Sequence, residues 1–237
     1  MDHIDWDDFA ERYDRVFLED PLYNDMIRVI AEQAGAAEGA RILDLGSGTG
    51  GVTCQVLKRI PDARVTGADP AAKMRELYAR RFADFAGVDA VAGHGLSLPF
   101  EDDAFDLVVS NLALHHIPHE DKPACAREIA RVLRSGGRLV YCDHFVDFEG
   151  PVGDPVRSRD IVEKTVSWAM YSLDHGAYQH MLGLLRVIPL CLAEDGEYLE
   201  TPTRWLQFLE HAGFIDVDII EIPPTKVGMK VLVATAS

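Results

Sequence analysis

The run from Ile42 to Gly50 constrains the fold of this chain more than any other feature. An apolar segment that is typical of a buried strand contains the acid Asp44 near its end, and a glycine-rich turn follows. Because glycine has no Cβ, such a turn lets the backbone approach a ligand closely. At the carboxyl end of a first parallel strand, the turn predicts a nucleotide-like cofactor in the adjoining crevice.

Strand-like and helix-like patterns alternate around this turn. Helical stretches near 51–59, 71–86 and 120–134 separate strand-like segments. The strand-like segments lie at 41–45, 64–68, 88–92, 105–110, 137–143, 214–221 and 229–235. The alternation predicts a doubly wound α/β fold, in which helices cover both faces of a mostly parallel sheet.

The last two predicted strands are joined by only the seven residues from Ile222 to Gly228. A parallel crossover needs about a dozen or more residues, so these two strands must pair antiparallel. Pro223 and Pro224 supply the turn and cannot continue either strand. The sequence therefore predicts a seven-stranded sheet whose last strand is antiparallel.

Two segments exceed what this sheet requires, and we expect both to form a helical lid over the crevice. Residues 1–39 precede the first strand, residues 144–201 follow the fifth, and apolar spacing predicts helices in both. The chain is predicted to be a single domain over 1–237. Its cofactor-binding core would span 40–143, and a C-terminal helix and strand pair would span 202–237.

The net charge of −16, from 39 acidic and 23 basic residues, limits the possible partners. A chain this acidic would repel a phosphate backbone, so we expect no nucleic acid partner. No apolar run reaches the roughly 18 residues of a membrane helix, and the first residues are acidic where a signal peptide is basic. We therefore expect a cytoplasmic protein without a membrane partner. The sequence does not determine its oligomeric state.

Two classes of cofactor compete for the glycine-rich turn. The spacing Gly46-x-Gly48-x-x-Gly51 also fits the dinucleotide fingerprint. A dinucleotide would place its anionic pyrophosphate at the helix N-terminus, beside the carboxylate of Asp44. A cofactor with an ammonium group and no phosphate, such as S-adenosylmethionine, suits that carboxylate better. Asp69 fits either cofactor as an acceptor for the ribose diol, and it can also cap the helix that follows.

Several ordered motifs resemble those of the class I S-adenosylmethionine-dependent methyltransferases, in particular the small-molecule branch similar to the ubiquinone/menaquinone-biosynthesis type. The motifs are Ile42 to Gly50, Asp69, Leu98 to Val108, Val132 to Leu139 and Phe208 to Phe214. The resemblance implies S-adenosylmethionine as cofactor and methyl transfer to a small molecule. It also implies a seven-stranded sheet with an antiparallel last strand, in agreement with the loop-length argument.

The resemblance implies cofactor contacts from the turn, from the segments after the next three strands and from the N-terminal segment. The residues, besides Asp44 and Asp69, are Tyr13, Gly46, Ser47, Gly48, Gly50, Pro70, Met74, His94, Gly95, Leu96, Asn111, Leu112 and His116. The family usually has an acid where this chain has His94. A neutral imidazole can accept the same hydrogen bond from the adenine amino group, or the backbone of Gly95 or Leu96 supplies the contact.

Methyl transfer from a sulfonium is an in-line displacement, so the protein must chiefly align the reactants. A base is needed only where the acceptor carries a proton, as a hydroxyl does. His115 follows the fourth strand and His144 the fifth, and both are candidate bases. Packing against the cofactor is the alternative for the pair His115 and His116.

Aromatic and imidazole side chains of the 144–201 segment are candidates to line a flat substrate pocket, namely Trp168, Tyr171, His175 and Tyr178. Packing of the lid on itself explains them equally well. The paired acids of metal-dependent catechol methyltransferases cannot be identified, so no metal is expected.

The loop after the fourth strand narrows the class of acceptor. It begins Asn111-Leu112-Ala113-Leu114 and lacks the Asn-Pro-Pro-Tyr-like sequence of methyltransferases that act on nucleobase or glutamine amino groups. We therefore expect a small-molecule substrate, with oxygen ahead of nitrogen, sulfur or carbon as acceptor atom. The alternatives are a non-methylating reaction such as a cyclisation with the same cofactor, or a non-catalytic cofactor-binding partner subunit.

Overall fold

A seven-stranded sheet organises the computed structural model, which describes residues 6–35 and 38–237. The strands are Arg41–Leu45 (β1), Arg64–Asp69 (β2), Val88–Ala92 (β3), Phe105–Asn111 (β4), Leu133–His144 (β5), Phe214–Glu221 (β6) and Met229–Ala236 (β7). Their order is β3-β2-β1-β4-β5-β7-β6, and β7 alone runs antiparallel to its neighbours. The predicted fold class is confirmed, including its antiparallel last strand.

Eight α-helices accompany the sheet within the described ranges. They are Trp6–Phe17 (α1), Pro21–Gln33 (α2), Gly51–Arg59 (α3), Ala72–Arg81 (α4), Lys122–Val132 (α5), Pro155–Asp174 (α6), Tyr178–Ala193 (α7) and Pro202–His211 (α8). None of these helices is long and apolar enough to cross a membrane.

Side chains that alternate along the central strands feed two hydrophobic cores, one on each face of the sheet. Ile42 and Leu107 belong to the core under α2 and α3, whereas Leu43 and Val108 belong to the core under α5 and α8. This alternation follows from the two-residue period of a strand. Because the chain winds outward in opposite directions from β1 and β4, a crevice opens between their carboxyl ends.

Only part of the N-terminal segment lies over this crevice. The apolar stripe of α2 buries Met26, Ile27 and Ile30 completely in the core on one face of the sheet. The lid expected for residues 1–39 is therefore corrected to α1, because α2 is needed to cover the sheet. Residues 1–5 and 36–37 of that segment lie outside the described residues.

The segment between β5 and α8 forms the two long helices α6 and α7, as its apolar spacing predicted. The fully buried Asp20, which caps α2 by accepting from the backbone N–H of Leu22 at 2.7 Å, connects both helices to the N-terminal segment. Its carboxylate accepts hydrogen bonds from the Trp168 indole at 3.1 Å, from the Ser172 hydroxyl and from the His180 ring. One buried carboxylate thus connects α6 and α7 to the start of α2.

Candidate active site

The glycine-rich turn lies in close contact with the loop that follows β4. Gly46, Gly48 and Gly50 have φ angles of 70°, 51° and 91°, in the region that favours glycine. A Cβ on Gly46 would lie 2.3 Å from the Cβ of Ala113, in the loop that follows β4. The turn and the β4 loop therefore form the two sides of a narrow cleft.

This cleft, which we call the loop cleft, has a volume of about 130 Å³ and lies at the carboxyl ends of β1, β2 and β4. Most of the residues expected to contact the cofactor line it: Tyr13, Gly46, Gly48, Asp69, Pro70, Met74, His94, Gly95, Asn111, Leu112 and His116. Trp6, Leu45, Gly93, Ala113, Leu114 and Ile117 complete the lining.

Asp44 does not line the loop cleft. Its side chain lies beneath the turn, 1% exposed, where it accepts a hydrogen bond from the Thr53 hydroxyl at 2.6 Å. Burial raises the pKa of Asp44 to about 6, with a smaller contribution from the negative charge of Asp69. The expected direct contact with a ligand ammonium group is corrected, because Thr53 on α3 holds the carboxylate under the turn.

Three further expected contacts also face away from the cleft. The hydroxyl of Ser47 is directed at Gly67 of β2, where an added Cβ would come within 2.8 Å of it. Gly50 faces the ring of Phe82, and Leu96 packs against the core under α5 and α8. Ser47 and Gly50 shape the turn and do not line the cleft.

Asp69 lies at the end of β2, as the sequence predicted, and is 7% exposed. Its Oδ2 accepts from the backbone N–H of Gly48 and its Oδ1 from that of Ala71, both at 2.9 Å. A carboxylate oxygen can accept more than one hydrogen bond, so both remain available to a diol in the cleft. Burial raises the pKa of this carboxyl although the two backbone hydrogen bonds oppose the shift.

The loop cleft contains groups that a nucleoside with an amino-acid head would satisfy. Both polar atoms of the Asn111 amide are buried without a close partner in the described chain, apart from a weak interaction with the Tyr23 hydroxyl. A buried polar group without a partner costs free energy, so the amide favours a ligand that bonds it. Gly48 faces open space, since a Cβ there would meet only the Tyr13 ring, at 4.0 Å.

His94 bonds its own loop. Its Nδ1 accepts from the backbone N–H of Leu96 at 3.4 Å. In a neutral ring this arrangement leaves the hydrogen on Nε2, which makes the free nitrogen a donor. The expected acceptor role toward an adenine amino group would require the other tautomer.

A larger cavity of about 680 Å³ lies beneath α1, α6 and α7, and we call it the helix-covered cavity. It shares Trp6, Tyr13, Leu112 and His116 with the loop cleft. Its volume falls in the range of about 300–1,000 Å³ that is typical of small-molecule sites, whereas the loop cleft alone is smaller. Its apolar lining comes mainly from Phe9, Val16, Phe17, Leu184, Leu185, Val187, Leu190 and Leu199.

Of the four lid residues expected to line a substrate pocket, only Trp168 lines this cavity. Tyr171 packs against the core, and the ring of His175 lies against the ring of Tyr171, with their centroids 4.1 Å apart. Tyr178 is 58% exposed. The expectation for these three is corrected, because none of them lines the cavity, whereas His180 in the first turn of α7 does.

His115 belongs to a 3₁₀ turn, Leu114–His116, at the wall of the helix-covered cavity. Its Nδ1 lies 2.5 Å from Oδ1 of Asp143, and its Nε2 lies 3.3 Å from Oε2 of Glu197. Burial lowers its pKa, but the two carboxylates outweigh this effect and raise the pKa to about 10. The ring has both nitrogens engaged and offers no free lone pair to an acceptor proton.

His116 is bound to the segment that follows α7. Its Nδ1 donates to the carbonyl of Gly196 at 2.9 Å and lies 3.7 Å from Oε1 of Glu197. Burial, and then the positive charge of His115, lower the pKa of His116 to about 4. His115, His116 and Glu197 each offer one potential metal-ligand atom, and these three atoms lie within 4.8 Å of one another.

His144 lines the same cavity, although its Nε2 atom is itself buried. It is 6% exposed, and its Nε2 has no hydrogen-bond partner in the described chain, while the ring bonds the Val227 backbone. Burial lowers the pKa of His144 to about 4, so the imidazole is neutral at pH 7. Of the two candidate bases, His144 is the one with an available lone pair.

Sequence reasoning missed Asp143 and Glu197. Asp143 precedes the candidate base His144 at the end of β5, and an acid at that position was a readable signal. Glu197 lies in an irregular segment far along the chain from His115, so no spacing within the sequence connects the two.

Comparison with known proteins agrees with this geometry. The family described as a methyltransferase domain matches residues 42–137, which contain the glycine-rich turn, Asp69 and the β4 loop. A demethylmenaquinone methyltransferase of Clavibacter sepedonicus is 30% identical over 218 residues, covering 90% of this chain and 82% of that protein.

Solved structures share the fold at lower sequence identity. The [4+2]-cyclase SpnF gives a TM-score of 0.64 at 18% identity, covering 90% of this chain and 80% of that chain. Human N-acetylserotonin methyltransferase in complex with S-adenosylmethionine gives 0.64 at 16% identity, covering 98% and 56%. One of these two is named a cyclase and the other a methyltransferase, so the fold alone does not choose the reaction.

Proposed function

Because this chain belongs to the class I S-adenosylmethionine-dependent methyltransferases, as its sequence motifs and its relatives show, we propose that its acceptor is an apolar, hydroxyl-bearing small molecule in the helix-covered cavity. The chain is an enzyme whose cofactor is S-adenosylmethionine. Among acceptor atoms, oxygen ranks ahead of nitrogen, sulfur or carbon. The observation that carries the proposal is the apolar cavity that adjoins the loop cleft.

We assign the cofactor to the loop cleft. Asp69 would accept from the ribose hydroxyls, and the Asn111 amide would bond the amino-acid head. Pro70 and Met74 would flank the adenine, as the family motif implies. His94 would donate from Nε2 to an adenine ring nitrogen, since its Nδ1 is already bonded to Leu96. In these positions the transferable methyl group would face the cavity near Leu112.

The lining of the helix-covered cavity supports an apolar and flat acceptor. Aliphatic side chains of α7 form one wall, and aromatic rings of α1 form another. The polar side chains of the lining include His115, His116, His144 and Glu197, besides Arg12, Thr165, His180 and Arg186. Polar groups in an apolar pocket serve to orient a ligand, and here they would orient an acceptor hydroxyl.

S-adenosylmethionine supplies an electrophilic methyl group, and the chain's own residues position the acceptor for in-line attack. His144 would accept a hydrogen bond from the acceptor hydroxyl through its unpartnered Nε2. That bond would direct an oxygen lone pair toward the methyl carbon. As the oxygen–carbon bond forms and the sulfur–carbon bond breaks, the hydroxyl proton leaves toward His144 and solvent.

The test uses S-adenosylmethionine with a deuterated methyl group and a panel of naphthols, quinols, phenols, aromatic amines and thiols. Mass spectrometry would detect the deuterated product together with equimolar S-adenosylhomocysteine, and NMR would show whether the methyl group is on oxygen, as we expect, or on carbon, which would refute the oxygen assignment. His144→Gln should lower turnover about tenfold or more and leave the cofactor dissociation constant unchanged. Conversion of an acceptor without methyl transfer would favour the cyclisation alternative, and methylation of amines or thiols alone would refute the oxygen assignment.

A further inference from the structure

Three side chains that line the helix-covered cavity are arranged as metal ligands. His115 and His116 come from the 3₁₀ turn after β4, and Glu197 comes from the segment after α7. We propose that these three residues bind one divalent transition-metal ion of the zinc or iron(II) class, in a site that opens into the cavity.

The separations between the ligand atoms suit such an ion. Metal–nitrogen and metal–oxygen bonds of about 2.0–2.2 Å place neighbouring ligands of a tetrahedral ion roughly 3.4 Å apart. The His115 Nε2 lies 3.3 Å from the Glu197 Oε2. When one potential ligand atom is taken from each of the three residues, these atoms all lie within 4.8 Å of one another. Small side-chain rotations would therefore complete the coordination without movement of the backbone.

Both histidines already have the outer partners that metal-binding histidines require. The Nδ1 of His115 faces the buried carboxylate of Asp143 at 2.5 Å, and the Nδ1 of His116 donates to the Gly196 carbonyl at 2.9 Å. Such bonds to the far nitrogen fix the tautomer and ring orientation, and they make the other nitrogen a better ligand. The ion would therefore bind His116 at Nε2, and it would bind His115 at the Nε2 that now contacts Glu197.

The local charge also favours a cation. Asp143 is 1% exposed and Glu197 is 5% exposed, so two carboxylates lie in a nearly water-free environment. Buried charges are costly unless they are paired or coordinate a metal.

The donor set identifies the class of ion. Two imidazoles and one carboxylate suit zinc and iron(II), while calcium and magnesium prefer oxygen ligands alone. All three residues line the cavity, so a fourth coordination position would be open to water or to an acceptor oxygen. Three protein ligands with one open position are typical of catalytic sites rather than structural ones.

An ion at this position would bind the acceptor hydroxyl and lower its pKa, which makes the oxygen a better nucleophile. This catalytic use rests on the proposed function, but the binding of the ion does not. The sequence analysis expected no metal because the paired acids of catechol methyltransferases could not be identified, whereas the ligands proposed here come from two distant segments of the chain.

The experiment titrates tag-free protein, freed of metal with a chelator, with Co²⁺ and then with Zn²⁺. We expect visible Co²⁺ absorption bands that saturate at one equivalent and disappear when Zn²⁺ displaces the ion. His116→Gln and Glu197→Gln should weaken Co²⁺ binding about 100-fold or more, and Asp143→Asn about 10- to 100-fold. His175→Gln, which changes an exposed imidazole outside the cluster, should bind like the wild-type protein.

Wild-type protein that gives no saturable Co²⁺ bands would overturn the proposal, and this arm does not depend on any variant folding. Equal binding by wild-type protein and by folded His116→Gln would also overturn it, as an adventitious surface site. Calorimetric titration of the metal-free protein with S-adenosylmethionine is a separate arm. Loss of cofactor binding there would count against the proposed function and leave the metal site unaffected.

Discussion

At the scale of single residues, Asp69 combines three tasks that its chemistry permits together. Its carboxylate accepts hydrogen bonds from the backbone N–H of Gly48 in the turn and of Ala71 just before α4. It also presents two oxygens to the loop cleft. The first two tasks use backbone donors, so the third depends on the remaining lone pairs. The carboxylate is thus positioned before any ligand arrives.

We predict that Asp69→Asn weakens S-adenosylmethionine binding at least about tenfold, because a charge-assisted hydrogen bond contributes roughly 1.5–3 kcal/mol. Asparagine keeps the size of the side chain but loses the charge and one acceptor oxygen. Isothermal titration calorimetry would measure the change, with the exposed Asp89→Asn on β3 as the matched control. Wild-type affinity in a folded Asp69→Asn protein would contradict the ribose role.

Asp44 gives a prediction about pH, since burial raises its pKa from 3.8 to about 6. Well below pH 3.8 the carboxyl is protonated in both the folded and the unfolded chain. As the pH rises from about 4 to about 6, the unfolded chain releases this proton first, so the folded state loses stability. A pKa raised this far corresponds to about 3 kcal/mol once the pH exceeds 6.

The Asn side chain of Asp44→Asn cannot ionise, so the variant should not lose this stability as the pH rises. We predict that the free energy of unfolding of the variant, relative to wild type, rises by up to about 3 kcal/mol between pH 4 and pH 7. Urea unfolding of the ligand-free proteins would measure it. Asp106→Asn provides a control of opposite sign, because hydrogen bonds to Arg41 and Arg134 lower the pKa of Asp106 although burial opposes them. Parallel pH profiles for wild type and Asp44→Asn would contradict the prediction.

At the scale of elements, α1 is held over the site by its acidic residues. Asp14 accepts a hydrogen bond from the Thr49 hydroxyl at 2.5 Å and pairs with Arg81 of α4. Asp7 accepts from the backbone N–H of Lys73 at 2.6 Å, at the start of α4. These contacts keep Tyr13 against both the loop cleft and the helix-covered cavity.

We predict that Asp14→Asn weakens cofactor binding about fivefold, through faster dissociation, although Asp14 lines neither cavity. The loss of one partly buried ion pair and hydrogen bond is worth roughly 1 kcal/mol, and it would loosen α1. Stopped-flow displacement of bound cofactor would measure the rate. Glu11→Gln on the same helix, whose side chain is 73% exposed, should leave the rate unchanged. Equal rates in the two variants would argue against α1 as a lid.

The sequence predicted elements well where a local pattern determines them. β1 has its predicted bounds because an apolar run and a glycine turn delimit it. β5 begins at Leu133 and not at 137, because Leu133 pairs with Phe105 of β4 before an irregular stretch through Ser135 and Gly136, and regular pairing resumes at Arg138. The position of α2 on the sheet was missed for a related reason, since an amphipathic helix does not reveal which surface its apolar stripe covers.

At the scale of the whole molecule, the site is assembled from distant parts of the chain. The turn after β1 and the loop after β4 were predictable, because neighbouring parallel strands deliver their carboxyl ends to one crevice. The polar part of the cavity lining was not, because Glu197 reaches His115 only after α6 and α7 have crossed the site. Contacts between residues so far apart in the chain depend on tertiary packing, which cannot be read directly from a single sequence.

The location of the acceptor can be tested at Gly183 of α7, which lines the helix-covered cavity near solvent. No atom lies within 4 Å of a Cβ built there, and its φ is not in the left-handed region, so a larger side chain fits the helix. Replacing a helical glycine by alanine should stabilise the protein by up to about 1 kcal/mol. Gly183→Ala is therefore a folded control for the bulkier Gly183→Phe.

We predict that Gly183→Phe lowers kcat/KM for two-ring acceptors about tenfold or more and affects single-ring acceptors less, because its ring narrows the mouth of the cavity. The dissociation constant of S-adenosylmethionine should stay at the wild-type value, since Gly183 does not line the loop cleft. Steady-state kinetics over a series of acceptor sizes, beside calorimetry with the cofactor, would separate the two effects. If kcat/KM depends on acceptor size in the same way for Gly183→Phe and Gly183→Ala, the acceptor does not enter beneath α7. A change in cofactor affinity alone would indicate that the two cavities are not separate compartments.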